Sequence, residues 1–371
     1  MLAKLSIKNF RNFSDWYDFS LQSKKQYEFN SKSVINSIVN TSIIYGQNGS
    51  GKSNLGLAIL DLTSHINDIP VMSSLDQNYL NAEVNDGELA EFKYIFDFNG
   101  EKVEYNYGKS NPSSTVYEEL FINNKLCVKI DRRLSYIATI NLKGTESLKK
   151  EISNTNISII KYIKSNAVLD IDSTINNTFN KFISFVSGML FFRTLTKTAD
   201  YHGQILDSSK LSKEIIDADK IEDFELFLNE AGIKCQLSTK EYVNGKSIVF
   251  NFNGKYIDFG LAASTGTMSL GIFYYWWLKL ESNQITFAYI DEFDAYYHYS
   301  LSQLIVKKLT EIKCQTVLTT HNLSILSNDL LRPDCYFLMA DKLYPFYKLV
   351  DKDLRKAHNL EKIFKGLKYE Y

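Results

Sequence analysis

The stretch "GQNGSGKS", Gly46–Ser53, decides how the rest of the chain is read. It fits G-x-x-x-x-G-K-[ST] at every position. A strand-like run (Ile43, Ile44, Tyr45) precedes it and an apolar-periodic run (Leu55, Leu57, Ile59, Leu60) follows. That is the context in which this pattern forms a phosphate-binding loop. Its glycines let consecutive backbone N–H groups turn inward around phosphate oxygens, and the helix start adds the positive end of a dipole. Gly46, Gln47, Asn48, Gly49, Ser50, Gly51, Lys52, Ser53 and Asn54 are therefore the expected nucleotide contacts. Lys52 would reach the β- and γ-phosphates, and the Ser53 hydroxyl would bind Mg²⁺. The competing reading is a chance glycine-rich turn, which spacing and context together disfavour.

Such a cradle can bind nucleotide without cleaving it. Cleavage needs a carboxylate for the metal and a group that orients the attacking water. "QITFAYIDE", Gln284–Glu292, supplies both. It reads as a buried strand with acids at its C-terminal tip, where open α/β sheets bind ligands. Asp291 is the expected Mg²⁺ ligand, through water, and Glu292 the expected general base. Another strand-like run, "CQTVLTTH", ends on His321, which from that tip could donate a hydrogen bond to the γ-phosphate. "STGTMSLG", Ser264–Gly271, reads as a turn before an apolar helix. Its hydroxyls, small Gly266 and following helix start suit it to close the open side of a γ-phosphate.

The bulk composition narrows the function classes. The 371 residues, 44% of them hydrophobic, can bury a sizeable core. With 42 Lys+Arg against 43 Asp+Glu, the net charge is −1, so contact with DNA or RNA would need a local patch. The four cysteines are scattered with no CxxC pair, which fits a reducing cytosol. No signal-peptide pattern opens the chain, and no apolar run approaches the roughly 20 residues of a membrane helix. A cytoplasmic protein with no membrane partner is expected.

The chain divides into an N-terminal lobe (1–144), a helical insertion (145–232) and a C-terminal lobe (233–371), together one domain. Residues 88–131 alternate with period two around "FNGE" and "INNK", the mark of antiparallel hairpins. Segments such as "TINNTFNKFISFV" carry the helical period, but no heptad repeat runs long enough for a coiled-coil arm. The tail "KDLRKAHNLEKIFKGLKYEY" reads as a basic amphipathic helix. The fold class expected is α/β, with a mixed central sheet, an antiparallel β subdomain and a helical insertion.

In order, "GQNGSGKS", "STGT", "AYIDEFDAYYH" and "TTH" resemble the ABC-type ATPases of the RecF, SMC and OLD group. The resemblance extends to the short AAA-labelled ATPases of bacterial anti-phage systems, and "LSIKNFRNF" looks like that group's first strand motif. It covers about 1–60 and 255–340. It implies ATP and Mg²⁺ as ligands and a head-to-tail homodimer closed around ATP. Ser264, Thr265, Gly266 and Thr267 match the signature that contacts the γ-phosphate held by the opposing protomer. Asp294 matches the D-loop aspartate, His321 the switch histidine, and Arg11 a basic residue near the nucleotide. Lys52, Glu292 and His321 are then the catalytic set. His298 is nearer to the OLD-type branch, and Gln77 is the candidate for the glutamine that links metal to lobe movement. With neither a long arm nor a sequence for a further nuclease domain, the expectation is an ATP-driven switch. It would control a separately encoded effector, a nuclease or toxin, in anti-phage or abortive-infection defence. The alternative is a RecF-like, ATP-dependent DNA clamp, kept open by basic tail residues such as Lys352, Arg355, Lys356, Lys362, Lys365 and Lys368.

Overall fold

The computed structural model describes residues 1–67, 69–71, 75, 78–85, 87–152, 156–193, 201–203, 211–242, 245–295 and 298–367. Two seven-stranded sheets organise them. In the first, seven strands run antiparallel in the order Ser135–Ile140, Lys125–Asp131, Ser114–Ile122, Glu101–Asn111, Ala90–Phe98, Leu2–Lys8, Tyr17–Ser20. The hairpin read at "INNK" is present, with Asn123 and Asn124 at φ 47° and 63°. Two consecutive positive φ values give the turn whose twist suits a tight hairpin, and asparagine tolerates them.

The second sheet has the order Tyr201–Gly203, Met189–Arg193, Phe287–Asp291, Gln315–Thr319, Thr41–Gly46, Tyr336–Met339, Leu343–Pro345. Its five inner strands are parallel and its two edges antiparallel. The P-loop strand, Thr41–Gly46, therefore stands beside the strand that leads to His321, and one strand removed from the strand ending on Asp291. Because these strands are parallel, Gly46, Asp291 and Thr319 lie at one end of this sheet. A third, three-stranded sheet spans Leu237–Tyr242, Gly245–Phe252 and Lys255–Asp258.

The P-loop helix, Lys52–Ile66, lies between the two large sheets, with twelve of its residues buried. A helix buried on both sides has no polar face, so its apolar residues do not form one stripe. On the parallel sheet it comes very close: a Cβ at Gly56 would lie 2.6 Å from the Tyr289 ring and 2.7 Å from Phe191. Towards the antiparallel sheet it carries Asp61, which accepts from Lys109 Nζ and Tyr107 Oη at 2.8 Å and Tyr79 Oη at 3.0 Å. The sheets are also joined by Gln315, whose amide accepts from Leu2 N (2.8 Å) and donates to the carbonyls of Leu2 and Val39 (2.9 and 3.0 Å). These buried polar groups are paired, as burial requires.

Three expectations change. Residues 145–232 do hold helices, at Ile159–Asn166, Thr174–Ser187, Leu211–Asp217 and Ile221–Glu230. They also hold Met189–Arg193, an inner strand of the parallel sheet, parallel to the Asp291 strand. An apolar run alone does not show where a helix gives way to a strand. Among the described residues the tail is helical over Leu360–Gly366, after the side chain of Asn359 caps it; Lys368 lies outside the described residues. The stretch 264–271 is not a turn either. Ser264 caps a helix that runs from Thr265 to Glu281.

Candidate functional site

The P-loop closes on itself through its own glycines. Gly51 has φ 103°, open to glycine at little cost, and a Cβ there would meet Asn12 Nδ2 at 2.5 Å. Asn12 also accepts from Asn54 Nδ2 at 2.6 Å, so the loop carrying Arg11 lies over the start of the P-loop helix. Arg11 itself sits at φ 50°; its carbonyl accepts from Asn81 Nδ2 at 2.6 Å and its N–H donates to Tyr79 O at 3.1 Å. Lys52 folds back, its Nζ donating to the carbonyls of Gly46 and Gln47 at 2.9 Å each. Burial lowers its pKa, partly offset by the Asp291 and Glu292 carboxylates.

Ser53 and Asp291, far apart in sequence, meet at 2.6 Å, Ser53 Oγ donating to Asp291 Oδ2. Thr319 Oγ1 donates to the other oxygen, Oδ1, at 2.7 Å. Asp291 is fully buried. Arg193 Nε donates to Asp291 Oδ2 at 2.9 Å. The donor set, one hydroxyl and one carboxylate at a P-loop helix start, fits a hard divalent ion such as Mg²⁺.

Glu292 follows Asp291 in left-handed backbone, φ 51°. That is an uncommon state for a residue with a side chain, and it clusters at functional sites. Its N–H donates to Thr319 Oγ1 at 2.7 Å, so one threonine positions both acids. Burial and the neighbouring Asp291 raise the Glu292 pKa, while Arg193 and Lys52 oppose the shift. Asp294 accepts from Thr320 Oγ1 at 2.7 Å; its pKa is raised by burial. His321 is held below its usual pKa by burial and Lys52, so the neutral imidazole is favoured at neutral pH.

Glu292, Asp294, His321 and Asn48 line one cavity of about 400 Å³. A second, of about 660 Å³, lies against Gly46–Ser50, His321 and the Met339–Asp341 tip, with Tyr45 and Phe364 in its wall. Neither is lined by Ser264–Thr267. Those four residues form the first turn of the Thr265–Glu281 helix: Ser264 Oγ accepts from Thr267 N at 3.2 Å and bonds its hydroxyl at 2.9 Å. Ser264 and Thr265 are exposed, and a Cβ at Gly266 would meet only Ser264 Oγ, at 4.0 Å. Gln77 lies outside the described residues. His298 precedes the helix Tyr299–Thr310 as its cap residue, with no side-chain cap bond.

Residues 42–327, more than half of the chain, match the family described as "AAA domain, putative AbiEii toxin, Type IV TA system". The chain belongs to that family. Within this AAA family the P-loop, the Asp291–Glu292 tip and His321 all fall inside the matched span. The chain thus carries an AAA-type P-loop domain. Among solved structures it is similar to an SMC head domain from Thermotoga maritima (14% identity, 93% of this chain and 98% of that one, TM-score 0.43). It is similar also to an SMC head bound to the C-winged helix domain of ScpA (16%, 92% and 96%, 0.45). A third is an SMC head with extended coiled coil, bound to the ScpA C-terminal domain derived from Pyrococcus furiosus (14%, 99% and 98%, 0.44). No curated protein matches significantly. Among the described residues no helix is long and apolar enough to cross a membrane.

Sequence reasoning missed three contributors. Asn12 packs on Gly51, Thr319 orients both acids, and Arg193 bonds Asp291. Asn12 and Thr319 stand inside the quoted "LSIKNFRNF" and "TTH", which do not disclose these contacts, and Arg193 is a single cation ending the apolar run Leu190–Phe192.

Proposed function

We propose that the chain binds and hydrolyses ATP, and that two copies close head-to-tail around two nucleotides. The observation that carries this reading is the meeting of Ser53 with Asp291 at 2.6 Å, with Glu292 set beside them in left-handed backbone. The P-loop N–H groups and Lys52 hold the phosphates; Lys52 exchanges its bonds to two carbonyls for bonds to phosphate oxygens. Glu292 takes a proton from the attacking water. Neutral His321 donates to a γ-phosphate oxygen. Ser53 and, through water, Asp291 would hold Mg²⁺, which when bound neutralises phosphate charge. Arg11 would reach the nucleotide and Asp294 would lie at the dimer contact.

The other half of the site comes from the second copy. An exposed, capped helix start with free space over Gly266 is ready for an anion, and it borders neither cavity at its own P-loop. In the partner it would reach the γ-phosphate. Closure on ATP and opening after hydrolysis make a switch. We assign the switch to control of a separately encoded effector, a nuclease or toxin, in anti-phage defence; the family description, "putative AbiEii toxin, Type IV TA system", supports a toxin–antitoxin setting and names no effector.

Ser264→Arg tests the trans contact. It should leave ATP affinity unchanged while removing ATP-dependent dimers in sedimentation and stopping phosphate release. Turnover at the unaltered rate would show that the helix start does not take part.

A further inference from the structure

We propose that Arg193 is the resident cation of the metal site, holding the place of the divalent ion until nucleotide delivers one. This rests on the reading of Ser53 and Asp291 as the metal ligands.

The oxygen that receives the Ser53 hydroxyl, Asp291 Oδ2, also receives Arg193 Nε, at 2.9 Å. The charge of the guanidinium is therefore spent on the oxygen nearest the metal's hydroxyl ligand. The placement is built into the sheet. Arg193 and Asp291 are directly opposite partners in the parallel pairing of Met189–Arg193 with Phe287–Asp291.

The exposures of the two side chains differ in a useful way, 1% for Asp291 and 28% for Arg193. A buried carboxylate without a cation is costly. Arg193 supplies that cation when no metal is bound, while its open side gives it somewhere to go. Mg²⁺ keeps several waters and demands near-octahedral room, and a guanidinium on Asp291 Oδ2 takes the position of the water through which that oxygen would hold the ion. Metal can enter only as Arg193 turns away. A metal arriving with nucleotide phosphates brings the binding energy to do this, and a bare metal ion does not. The arginine thus makes the empty site discriminate against free divalent ions.

Mn²⁺ alone, titrated into nucleotide-free full-length protein and followed by the EPR signal of the free ion, tests the proposal. Arg193→Gln should bind Mn²⁺ about tenfold more tightly than the wild type. Asp291→Asn in that background should abolish the gain, and Mn²⁺ should raise the melting temperature of Arg193→Gln but not of the wild type. In EDTA, affinity for a fluorescent ATP analogue should change less than about twofold on Arg193→Gln. Equal or weaker Mn²⁺ binding by the variant would overturn the proposal, and a large loss of metal-free nucleotide binding would make Arg193 a phosphate ligand instead. Should Arg193→Gln not fold, the wild type decides: tight nucleotide-free Mn²⁺ binding that Asp291→Asn removes would overturn it. No arm uses turnover, so a protein that failed to hydrolyse ATP would still give a clear answer here.

Discussion

Glu292→Gln is expected to keep nucleotide affinity while cutting ATP turnover by about a hundredfold or more, the range set by loss of a general base. The amide has the shape of the carboxylate but cannot accept the water's proton. The surrounding geometry is held by the backbone: φ 51° at residue 292 and the bond from its N–H to Thr319 Oγ1 do not depend on the side chain's charge. Asp291, buried and bonded to Ser53 and Thr319, stays in place. Nucleotide Kd and single-turnover phosphate release separate the two effects. The wild type should carry a further mark. The carboxylate is the working form, and burial beside Asp291 raises its pKa. The acid limb of kcat/KM, which reports the free enzyme, should therefore lie at higher pH than an ordinary glutamate gives, and should vanish in Glu292→Gln.

Lys109→Met is the second large effect, and it falls on stability. Lys109 and Asp61 form an ion pair of 2.8 Å with side chains 2% and 1% exposed. Removing one partner strands the other charge in the interior, at a cost of about 3–5 kcal/mol. The loss is mechanical as well, since Asp61 is on the P-loop helix and Lys109 on the antiparallel sheet. Urea unfolding should show a much lower midpoint. Adding Asp61→Leu should recover most of the loss, because a pair replaced by apolar groups is often neutral. If the double variant were as unstable as the single one, the Tyr79 and Tyr107 bonds to Asp61, not the charge pair, would be the main support.

The parts of the candidate site visible in the sequence are those where chemistry is local. The P-loop is a run of eight residues whose glycines and lysine act together, and Asp291 and Glu292 announce themselves at the end of an apolar strand. Arg193 and Thr319 act through strand pairing with partners about a hundred and about thirty residues away, and nothing in a local window records that register. "LSIKNFRNF" looks like a first strand motif, yet the place of Leu2–Lys8 in the antiparallel sheet follows from its pairing with Ala90–Phe98. The missed strand Met189–Arg193 follows directly on the helix Thr174–Ser187, so one apolar run served two structures with different periods.

The central claim, a site completed by a second copy, is tested most directly by mixing two dead variants. Lys52→Ala removes the phosphate lysine and Ser264→Arg blocks the signature helix. A head-to-tail mixed dimer has one intact site, with Lys52 from one protomer and Ser264 from its partner. Each variant alone should be inactive, and an equimolar mixture should recover ATP turnover. A mixture as inactive as its components would contradict the account.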